Sequence, residues 1–375
     1  MAQIAGSERD LRHLTRAIEL AAQARGMTSP NPLVGAVVVK EDRVIGEGLH
    51  TGAGEPHAER AALDACTESP DGATLYVSLE PCCHTGRTPP CTDAIVEAGV
   101  RRVVIASDDP TPKASGRGLG ILRDEGVAVD VLDGEVSERA RLLNQPFRKH
   151  ARTGKPLVIL KWAMTMDGKV ATSSGDSRWI SGKASRARAH RWRAEVDAVA
   201  VGIGTALADD PLLTARVEAV ARQPRRVVFD SEARLPLEGQ LARSLDDAPV
   251  VVVCSRAAPR RHVQALEAAG IGTVTVSGPN ETARVKAALD ELGALEIQSL
   301  LVEGGPHLAG ALADAGEVDE VRVFVAPLLA GGRRSRTAVE GQGVELIREA
   351  ARPASATEVE RIGDDVLISA RLREW

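Results

Sequence analysis

Two stretches in the first half of the chain decide how it folds: "HAE" at residues 57–59 and "LEPCCHTGRTPPC" at residues 79–91. The first opens a helical pattern, and the second follows an apolar strand pattern, "ATLYVSLE", and precedes another helix. His57, Cys82 and Cys91 therefore fall where strands end and helices begin, which is where open α/β sheets form ligand sites. We interpret the two stretches as halves of one site.

The side chains in these stretches are typical of a catalytic zinc centre. One histidine and two cysteines make three protein ligands for zinc and leave the fourth position to water. A helix N-terminus stabilises the thiolate form of Cys91, and Glu59 is placed to move a proton of the bound water. H-x-E followed by P-C and a second cysteine is the signature of zinc-dependent deaminases of bases and nucleotides. The usual C-x-x-C spacing is absent, because eight residues, "CHTGRTPP", separate Cys82 from Cys91.

Two other interpretations of these ligands are a structural zinc site and a chance cluster of thiols. A structural zinc site needs a fourth protein ligand, and Cys83 or His84 would have to supply it, although Cys83 directly follows another ligand. A chance cluster of buried thiols explains neither Glu59 nor the prolines. The catalytic interpretation is therefore favoured, whereas Cys66 and Cys254 lie in apolar patterns typical of core positions.

The composition limits the class of protein. A chain of 375 residues exceeds what one core usually covers, so two domains are expected. A formal charge of −5 and only 2% aromatic residues argue against a nucleic-acid-binding surface. The sequence contains no run of about 18 apolar residues, so no membrane-spanning helix is predicted. Five cysteines without an export signal favour a cytoplasmic location.

Strand and helix patterns alternate along both halves of the chain, which predicts α/β architecture throughout. The strands predicted for the second half are "PLVILKWAM", "AVAVGIGT", "RRVVFDS", "PVVVVCS", "SLLVEGG", "EVRVFVAP" and "DVLISARL". The polar, basic segment Asn144–Pro156, "NQPFRKHARTGKP", is interpreted as a junction. We therefore expect a first domain over residues 1–148 and a second over residues 149–375. Leu212–Gln223 shows neither periodicity and is predicted to be a loop.

By itself, the second half carries weaker functional signals. The glycine turns "VGIGT" and "VEGGPHLAG" could hold phosphates on main-chain N–H groups, but glycine also serves any tight turn. Neither is a G-x-G-x-x-G motif, so a Rossmann domain is not supported. Lys161 ends a predicted strand within "LVILKW", where an apolar run should continue, so its ammonium either reaches the surface or faces a site, and we favour the site.

The motifs taken together resemble one family over nearly the whole chain. "NPLVGAVVV", "HAE", "PCCHTGRTPPC", "DPTPKASGRG", "LKWAMTMDGKVAT", "SGDSRWIS", "GTALADDPLLTAR" and "VEGGPHLAGAL" occur in the order found in the bifunctional riboflavin-biosynthesis deaminase–reductases. The resemblance implies an N-terminal cytidine-deaminase-like three-layer α/β/α domain followed by a dihydrofolate-reductase-like α/β domain.

For the first domain, the resemblance implies one zinc ion on His57, Cys82 and Cys91, with Glu59 as general acid and base. Metal-bound hydroxide would attack the amino-bearing carbon of a diamino-ribosylamino-pyrimidinone 5′-phosphate, which is a product of GTP hydrolysis, and ammonia would leave. Contacts to this substrate are expected from four polar residues, each of which could instead have a purely structural role: Asn31, His50, His84 and Arg87.

For the second domain, the resemblance implies an NADPH-dependent reductase that opens the ribose and leaves a ribityl chain. We expect Lys161 and Glu303 to assist ring opening or proton transfer, and Arg193 and Arg216 suit a phosphomonoester because of their planar forks. The expected NADP contacts are Ala163, Trp179, Thr205, Asp209, Ser231, Gly305, Pro306, His307, Leu308, Ala309, Gly310 and Ala311. The expected substrate contacts are Ser177, Arg193, Leu213, Arg216 and Glu303.

The expected partners are small molecules rather than nucleic acid or membrane, with association into a homo-oligomer through the reductase domain. Three alternatives remain open from the residues alone. The chain could be a deaminase whose second half binds a regulatory nucleotide, or a zinc-stabilised module without turnover. An editing deaminase acting on nucleic acid is disfavoured by the acidic charge and the few aromatic residues.

Overall fold

The computed structural model describes residues 6–85 and 89–375, which form two compact units. The first unit extends to Thr153 and includes Trp375, and the second covers Gly154–Glu374. The division falls within the predicted junction but after Thr153 rather than after residue 148. The reason is a helix, Gln145–Thr153, that occupies most of the junction and carries the buried side chains Arg148 and Lys149.

Strand and helix segments alternate in the first unit. The helix α1 begins after Ser7, whose hydroxyl accepts a hydrogen bond from the amide of Asp10 and donates one to its carboxylate. Its buried face includes Leu14 and Ile18. The elements are α1 (Glu8–Gln23), β1 (Gly35–Lys40), β2 (Arg43–Leu49), α2 (Ala58–Asp64), β3 (Thr74–Val77), α3 (Cys91–Glu97), β4 (Arg102–Ile105), α4 (Arg117–Asp124), β5 (Ala128–Val131), α5 (Glu135–Leu143) and α6 (Gln145–Thr153).

In the described part of the first unit, five strands form a sheet in the order β2-β1-β3-β4-β5. β1 pairs antiparallel with β2 and β3, whereas β3, β4 and β5 are parallel. One face packs against α2, α3 and α4 through residues such as Ala62 and Ile95, and the other packs against α1 and α5 through residues such as Leu14 and Val136. The predicted three-layer α/β/α domain is confirmed.

The second unit continues the alternation with a larger sheet. Its elements are β6 (Leu157–Thr165), α7 (Lys183–Glu195), β7 (Ala198–Gly202), α8 (Ile203–Asp209), β8 (Arg225–Phe229), α9 (Gln240–Arg243), β9 (Val250–Ser255), α10 (Arg260–Ala268), β10 (Gly272–Val276), α11 (Glu281–Ala294), β11 (Ser299–Val302), α12 (Pro306–Asp314), β12 (Glu320–Ala326), β13 (Glu358–Ile362) and β14 (Asp365–Arg371).

Within residues 154–374, nine strands form one sheet in the order β10-β9-β8-β7-β11-β6-β12-β14-β13. The pairs from β10 to β12 are parallel, and β14 is antiparallel to both of its neighbours. Helices α11 and α12 cover one face of the central strands with residues such as Leu289 and Leu312. Since parallel strands end at one edge of a sheet, the segments after β7, β8, β9 and β11 lie near one another.

One prediction for the second unit is wrong and another is confirmed. Lys161 lies in the middle of β6, which continues to Thr165, rather than at a strand end. Leu212–Gln223 contains no helix or strand, as expected for a loop. None of the helices in the described ranges has both the length and the apolar character that a membrane crossing requires.

Candidate active sites

His57, Cys82 and Cys91 meet at the carboxyl end of β3. His57 is the residue before the first turn of α2, Cys82 follows β3, and Cys91 is the first residue of α3. The Nδ1 atom of His57 lies 3.2 Å from the Sγ of Cys91 and 3.4 Å from the Sγ of Cys82. The backbone N–H of Cys91 points at the Sγ of Cys82 at 3.3 Å. Residues from three separate elements therefore present one nitrogen and two sulfurs to a common point.

The spacing of these three atoms fits zinc. Tetrahedral bonds of about 2.05 Å to nitrogen and about 2.3 Å to sulfur place nitrogen about 3.6 Å from each sulfur. The observed distances of 3.2 and 3.4 Å are within a few tenths of an ångström of that value. Among the described residues, the cluster that could hold a metal consists of these three groups. The side chain of Cys83 contacts the carbonyl of Lys113 at 3.7 Å, and His84 is exposed.

The electrostatics of the cluster favour a thiolate. Hydrogen bonds from the Cys91 thiol, from His57 and from the backbone amide of Cys91 outweigh burial and lower the pKa of Cys82 to about 4. In turn, the Cys82 sulfur raises the pKa of His57. The contact with Cys82, burial and the charge of Glu59 raise the pKa of Cys91 far above its usual range. Anionic sulfur is the form that binds zinc.

Glu59 is a buried acid directly beside the cluster. It lies in the first turn of α2, and only 3% of the residue is exposed. Burial, followed by the charge of Cys82, raises its pKa to about 7, and its carboxylate is hydrogen-bonded to Cys91. A carboxyl group with this pKa can both accept and release a proton near neutral pH.

Of the four substrate contacts predicted for the first domain, Asn31 and His50 lie beside the metal ligands. The Nδ2 atom of Asn31 is 3.0 Å from the Nε2 of His50, and the Nδ1 of His50 is 3.0 Å from the carbonyl of Pro56. His50 therefore donates from Nδ1 and accepts at Nε2. Its ring meets the His57 ring edge-on at 5.3 Å, and burial lowers its pKa. Arg87 lies outside the described residues.

Glu80, which was not predicted as part of this site, lies beside it. Its buried carboxylate accepts hydrogen bonds from the backbone amides of Gly116, at 2.8 and 3.1 Å, and Asp109, at 3.5 Å. These bonds connect both ends of the segment 109–116 to the chain that carries Cys82. The available signal was a carboxylate at the end of an apolar strand, immediately before Pro81-Cys82.

The second unit contains a cavity of about 1080 Å³ along the carboxyl ends of its parallel strands. Both glycine turns noted in the sequence border it. The main chain of Gly305, where α12 begins, comes so close to Thr205 that a Cβ there would lie 3.0 Å from the hydroxyl oxygen. The predicted residues that line the cavity are Lys161, Ala163, Ser177, Trp179, Arg193, Thr205, Asp209, Arg216, Ser231, Glu303, Gly305, Pro306, His307, Leu308 and Ala311.

Three predicted residues do not line this cavity. Ala309 is buried in the core between α12 and the sheet, and Gly310 packs against the backbone of Glu340. Leu213 is 2% exposed and has a φ of 57°. The side chains of these three residues therefore do not face the cavity. Trp179, by contrast, is 70% exposed at the cavity, and Arg186 stacks on its ring at 4.6 Å.

Lys161, Arg193 and Glu303 form a buried ion network in the cavity. Arg193 binds both oxygens of Glu303, with Nε–Oε1 at 2.7 Å and Nη2–Oε2 at 2.9 Å, and Lys161 lies 3.4 Å from Oε2. Burial alone would raise the pKa of Glu303, but the charges of Arg193 and Lys161 outweigh it and hold that pKa well below its usual range. Glu303 is therefore a carboxylate, and the fork of Arg193 is already occupied.

Comparison with known proteins assigns a family to each half. Residues 7–107 match the cytidine and deoxycytidylate deaminase zinc-binding region, and residues 156–368 match the RibD C-terminal domain. The riboflavin biosynthesis protein RibD of Aquifex aeolicus is 42% identical, covering 96% of this chain and 98% of that protein. RibD of Actinobacillus pleuropneumoniae is 40% identical, covering 96% and 94%.

Solved structures agree with these matches. Acinetobacter baumannii RibD superposes with a TM-score of 0.86 at 37% identity, covering 97% of this chain and 99% of that chain. The Thermotoga maritima protein described as a diaminohydroxyphosphoribosylaminopyrimidine deaminase/5-amino-6-(5-phosphoribosylamino)uracil reductase superposes with a TM-score of 0.83 at 35% identity, covering 97% and 98%. The predicted pairing of a cytidine-deaminase-like domain with a reductase domain is confirmed. The chain belongs to the RibD family of riboflavin biosynthesis enzymes, which join a zinc-binding deaminase domain to a reductase domain.

Proposed function

We propose that the chain performs two consecutive reactions on one substrate, a diamino-ribosylamino-pyrimidinone 5′-phosphate. The first replaces a ring amino group by oxygen and releases ammonia, and the second reduces the ribosyl group to ribityl with NADPH. The observation that carries the proposal is the convergence of His57, Cys82 and Cys91 beside the buried carboxyl group of Glu59. The description of the Thermotoga maritima relative names the same pair of reactions.

In the first unit, His57, Cys82 and Cys91 would hold the zinc ion. Bound zinc lowers the pKa of a water molecule, so that hydrolysis can run at neutral pH. The three side chains leave one tetrahedral position for that water. The hydrogen bonds that keep Cys82 anionic support this role, because they prepare a thiolate ligand.

Glu59 would carry the protons of the deamination. Its carboxylate takes a proton from the attacking water and delivers it to the ring nitrogen next to the reacting carbon. It would then move the remaining proton of the added oxygen to the amino group, so that the carbon–nitrogen bond breaks, ammonia leaves and the oxygen becomes a ring carbonyl. Its burial beside Cys91 supports this role, because a carboxylate shielded from bulk water retains the proton it accepts.

Asn31 and His50 would orient the pyrimidine ring of the substrate. The hydrogen bond between them and the contact of His50 with Pro56 fix the amide of Asn31 beside the metal ligands. The amide of Asn31 gives one N–H to His50 and keeps a second N–H and its carbonyl oxygen, which match the amide-like edge of a pyrimidinone. His84 and Arg87, on the segment between the two cysteines, are assigned to the phosphate end of the substrate.

In the second unit, NADPH would occupy the cavity along the ends of β7, β8 and β11. Bound NADPH supplies the hydride that goes to the anomeric carbon of the ribose. The turn that begins at Gly305 would present main-chain N–H groups to the pyrophosphate, since α12 starts there. Contacts from further residues would hold the rest of the cofactor: Ala163, Trp179, Thr205, Asp209 and Ser231.

Lys161 would donate the proton that opens the ribose ring. The reduction breaks the bond between the anomeric carbon and the ring oxygen, and the ammonium group of Lys161 would protonate that oxygen. Glu303 cannot be the acid, because Arg193 and Lys161 keep it ionised. It would instead orient Lys161, which lies 3.4 Å from its carboxylate.

Arg216 would bind the phosphate of the substrate in the reductase site. The fork of Arg193 is taken up by Glu303, whereas the guanidinium of Arg216 faces the same cavity. Ser177 would add a hydroxyl contact, and the main chain at Leu213 a further one. A guanidinium forms bidentate, charge-assisted bonds with a phosphomonoester.

We further propose one zinc ion per chain, a cytoplasmic location and a homo-oligomer that associates through the reductase domain, without nucleic-acid or membrane partners. The single three-ligand cluster among the described residues supports the stoichiometry. The edge strand β13, where Val359 is 68% exposed, is consistent with association through the second unit.

Supplying the diamino substrate with and without NADPH tests the whole proposal. Without NADPH, mass spectrometry should detect ammonia release and a product that keeps its ribosyl group. With NADPH, the product should gain two hydrogens, and absorbance at 340 nm should fall. A deaminated product that never consumes NADPH would leave the second unit without its proposed reaction.

A further inference from the structure

His190 lies on the cavity side of α7 and is neither a predicted cofactor contact nor a predicted substrate contact. His190 and Arg193 are three residues apart on this helix, so their side chains emerge from the same face. Both line the cavity of the second unit. Arg193 forms the ion pair with Glu303, and the imidazole of His190 has a different partner.

The chain opposite this face, residues 214–216, has no regular secondary structure, and side chains fix its backbone. Arg193 donates from Nη1 to the carbonyl of Thr214 at 3.0 Å. The side-chain amide of Gln223 accepts from the N–H of Ala215 at 2.8 Å and donates to its carbonyl at 2.9 Å. Arg193 and Gln223 thus hold two of the three residues in this segment.

His190 holds the third residue. Its Nδ1 accepts a hydrogen bond from the backbone N–H of Arg216 at 3.4 Å, and the imidazole also interacts with the backbone of Thr214. Burial, together with the charges of Arg193 and Arg216, lowers the pKa of His190 to about 4. The ring is therefore neutral at physiological pH and keeps the lone pair that this bond needs.

The consequence concerns the side chain of Arg216. Within residues 6–85 and 89–375, no carboxylate forms an ion pair with its guanidinium, which lines the cavity. The backbone of a residue fixes the Cα–Cβ bond from which its side chain starts, and the rotamers then follow from the surroundings. The hydrogen bond from His190 restrains the N–H of Arg216 and so fixes that starting point.

We propose that His190 is a positioning residue of the reductase reaction, which fixes the backbone of Arg216 so that its guanidinium meets the substrate phosphate. The inference rests on the proposed function, in which Arg216 binds that phosphate. His190 itself does not touch the phosphate. It acts through one hydrogen bond to the main chain.

Two substitutions of His190 separate this role from simple packing. His190→Leu removes the acceptor, whereas His190→Asn places an amide oxygen near the position of Nδ1. The reductase is assayed with the deaminated substrate and with the same compound lacking its 5′-phosphate. His190→Leu should raise KM for the phosphorylated compound about tenfold, the effect of one lost hydrogen bond, with little change in kcat. His190→Asn should restore most of the affinity, and neither variant should alter KM for the compound without phosphate.

Two further measurements on the His190 variants, and one variant at an exposed position, serve as controls. Deaminase activity and the NADPH dissociation constant should be unchanged, and Arg191→Gln, an exposed position on the same helix, should behave as wild type. Equal losses with both compounds, or equal losses in the Leu and Asn variants, would overturn the positioning role. Arg216→Gln tests the premise. If Arg216→Gln raises KM and His190→Leu does not, only the role of His190 is wrong, and if Arg216→Gln changes nothing, both assignments are wrong.

Discussion

Arg193 and Glu303 share two parallel hydrogen bonds inside the reductase cavity, at 2.7 and 2.9 Å, and their side chains are 13% and 8% exposed. Two-point pairing of this kind fixes the plane of both groups. Lys161 joins the same carboxylate from the adjacent strand β6. One buried carboxylate therefore holds both cations, and its removal tests the network directly.

Replacing Glu303 by Gln should destabilise the second unit and stop the reduction. The change leaves Arg193 and Lys161 buried without a counter-charge, and breaking a buried pair in this way costs about 3–5 kcal/mol. Urea unfolding measures the loss of stability, and NADPH oxidation measures the loss of activity. As a control, Glu360→Gln removes the partner of Arg188 in an exposed ion pair and should change neither quantity. Wild-type stability of Glu303→Gln would contradict the network.

The stability of the second unit should decrease as the pH falls. The pKa of His190 is about 4 in the folded protein and about 6.5 when the chain is unfolded. The unfolded state therefore binds the proton more tightly, so the contribution of His190 is complete above pH 6.5 and is lost as the pH falls towards 4. Glu303, whose folded pKa is also depressed, adds a loss that begins below its unfolded pKa of about 4.3. Thermal unfolding of His190→Asn should therefore depend less on pH between 6.5 and 4 than that of the wild type, and equal slopes would show that His190 titrates normally.

The zinc ligands could be predicted from the sequence because their chemistry is local. His57, Cys82 and Cys91 each mark a boundary between a strand and a helix, and such boundaries follow from hydrophobic periodicity and prolines. The strand β10, "GTVTV", and the strand β13, "EVERI", were not predicted. Both are five residues long at the edges of the sheet, where half-exposed side chains blur the apolar pattern.

The remaining features depend on contacts between distant residues. The junction was predicted from its polar composition, yet Arg148 is fully buried, because its guanidinium bonds Ser107 and Asp108 about 40 residues earlier in the chain. In the same way, nothing in the sequence around His190 indicates that its partner is the amide of Arg216. Composition identifies such side chains as polar but cannot show that a distant partner satisfies them.

Glu59→Gln should abolish deamination without loss of metal. Glutamine keeps the size of the side chain but cannot accept and return a proton, and such a group contributes about 10²- to 10⁴-fold to the rate. Ammonia release measures the effect, and metal analysis of the purified variant measures the zinc. Reduction of the deaminated substrate should proceed at the wild-type rate, which shows that the chain is folded. Undiminished ammonia release would assign the proton transfer to another group.

Removal of zinc should inactivate the first unit alone. Dialysis against a chelator should stop ammonia release, and added zinc should restore it, because three ligands hold the metal and none belongs to the second unit. NADPH oxidation with the deaminated substrate should continue throughout. Cys91→Ser should mimic the chelator and fail to recover with added zinc, since it removes one of the two sulfurs. Deamination that survives in zinc-free protein would disprove the metal site.

Two substitutions of Lys161 should show whether the reduction needs its positive charge or the proton that it donates. Lys161→Met removes both and should lower the reductase kcat by at least about 100-fold, the usual contribution of a positioned acid. Lys161→Arg keeps a cation near Glu303, so the fold should be as stable as the wild type, but a guanidinium does not release its proton and kcat should stay low. Lys286→Met, at an exposed position on α11, serves as the control for the loss of a lysine. Full activity of Lys161→Arg would reduce Lys161 to an electrostatic role, and full activity of Lys161→Met would remove it from the reaction.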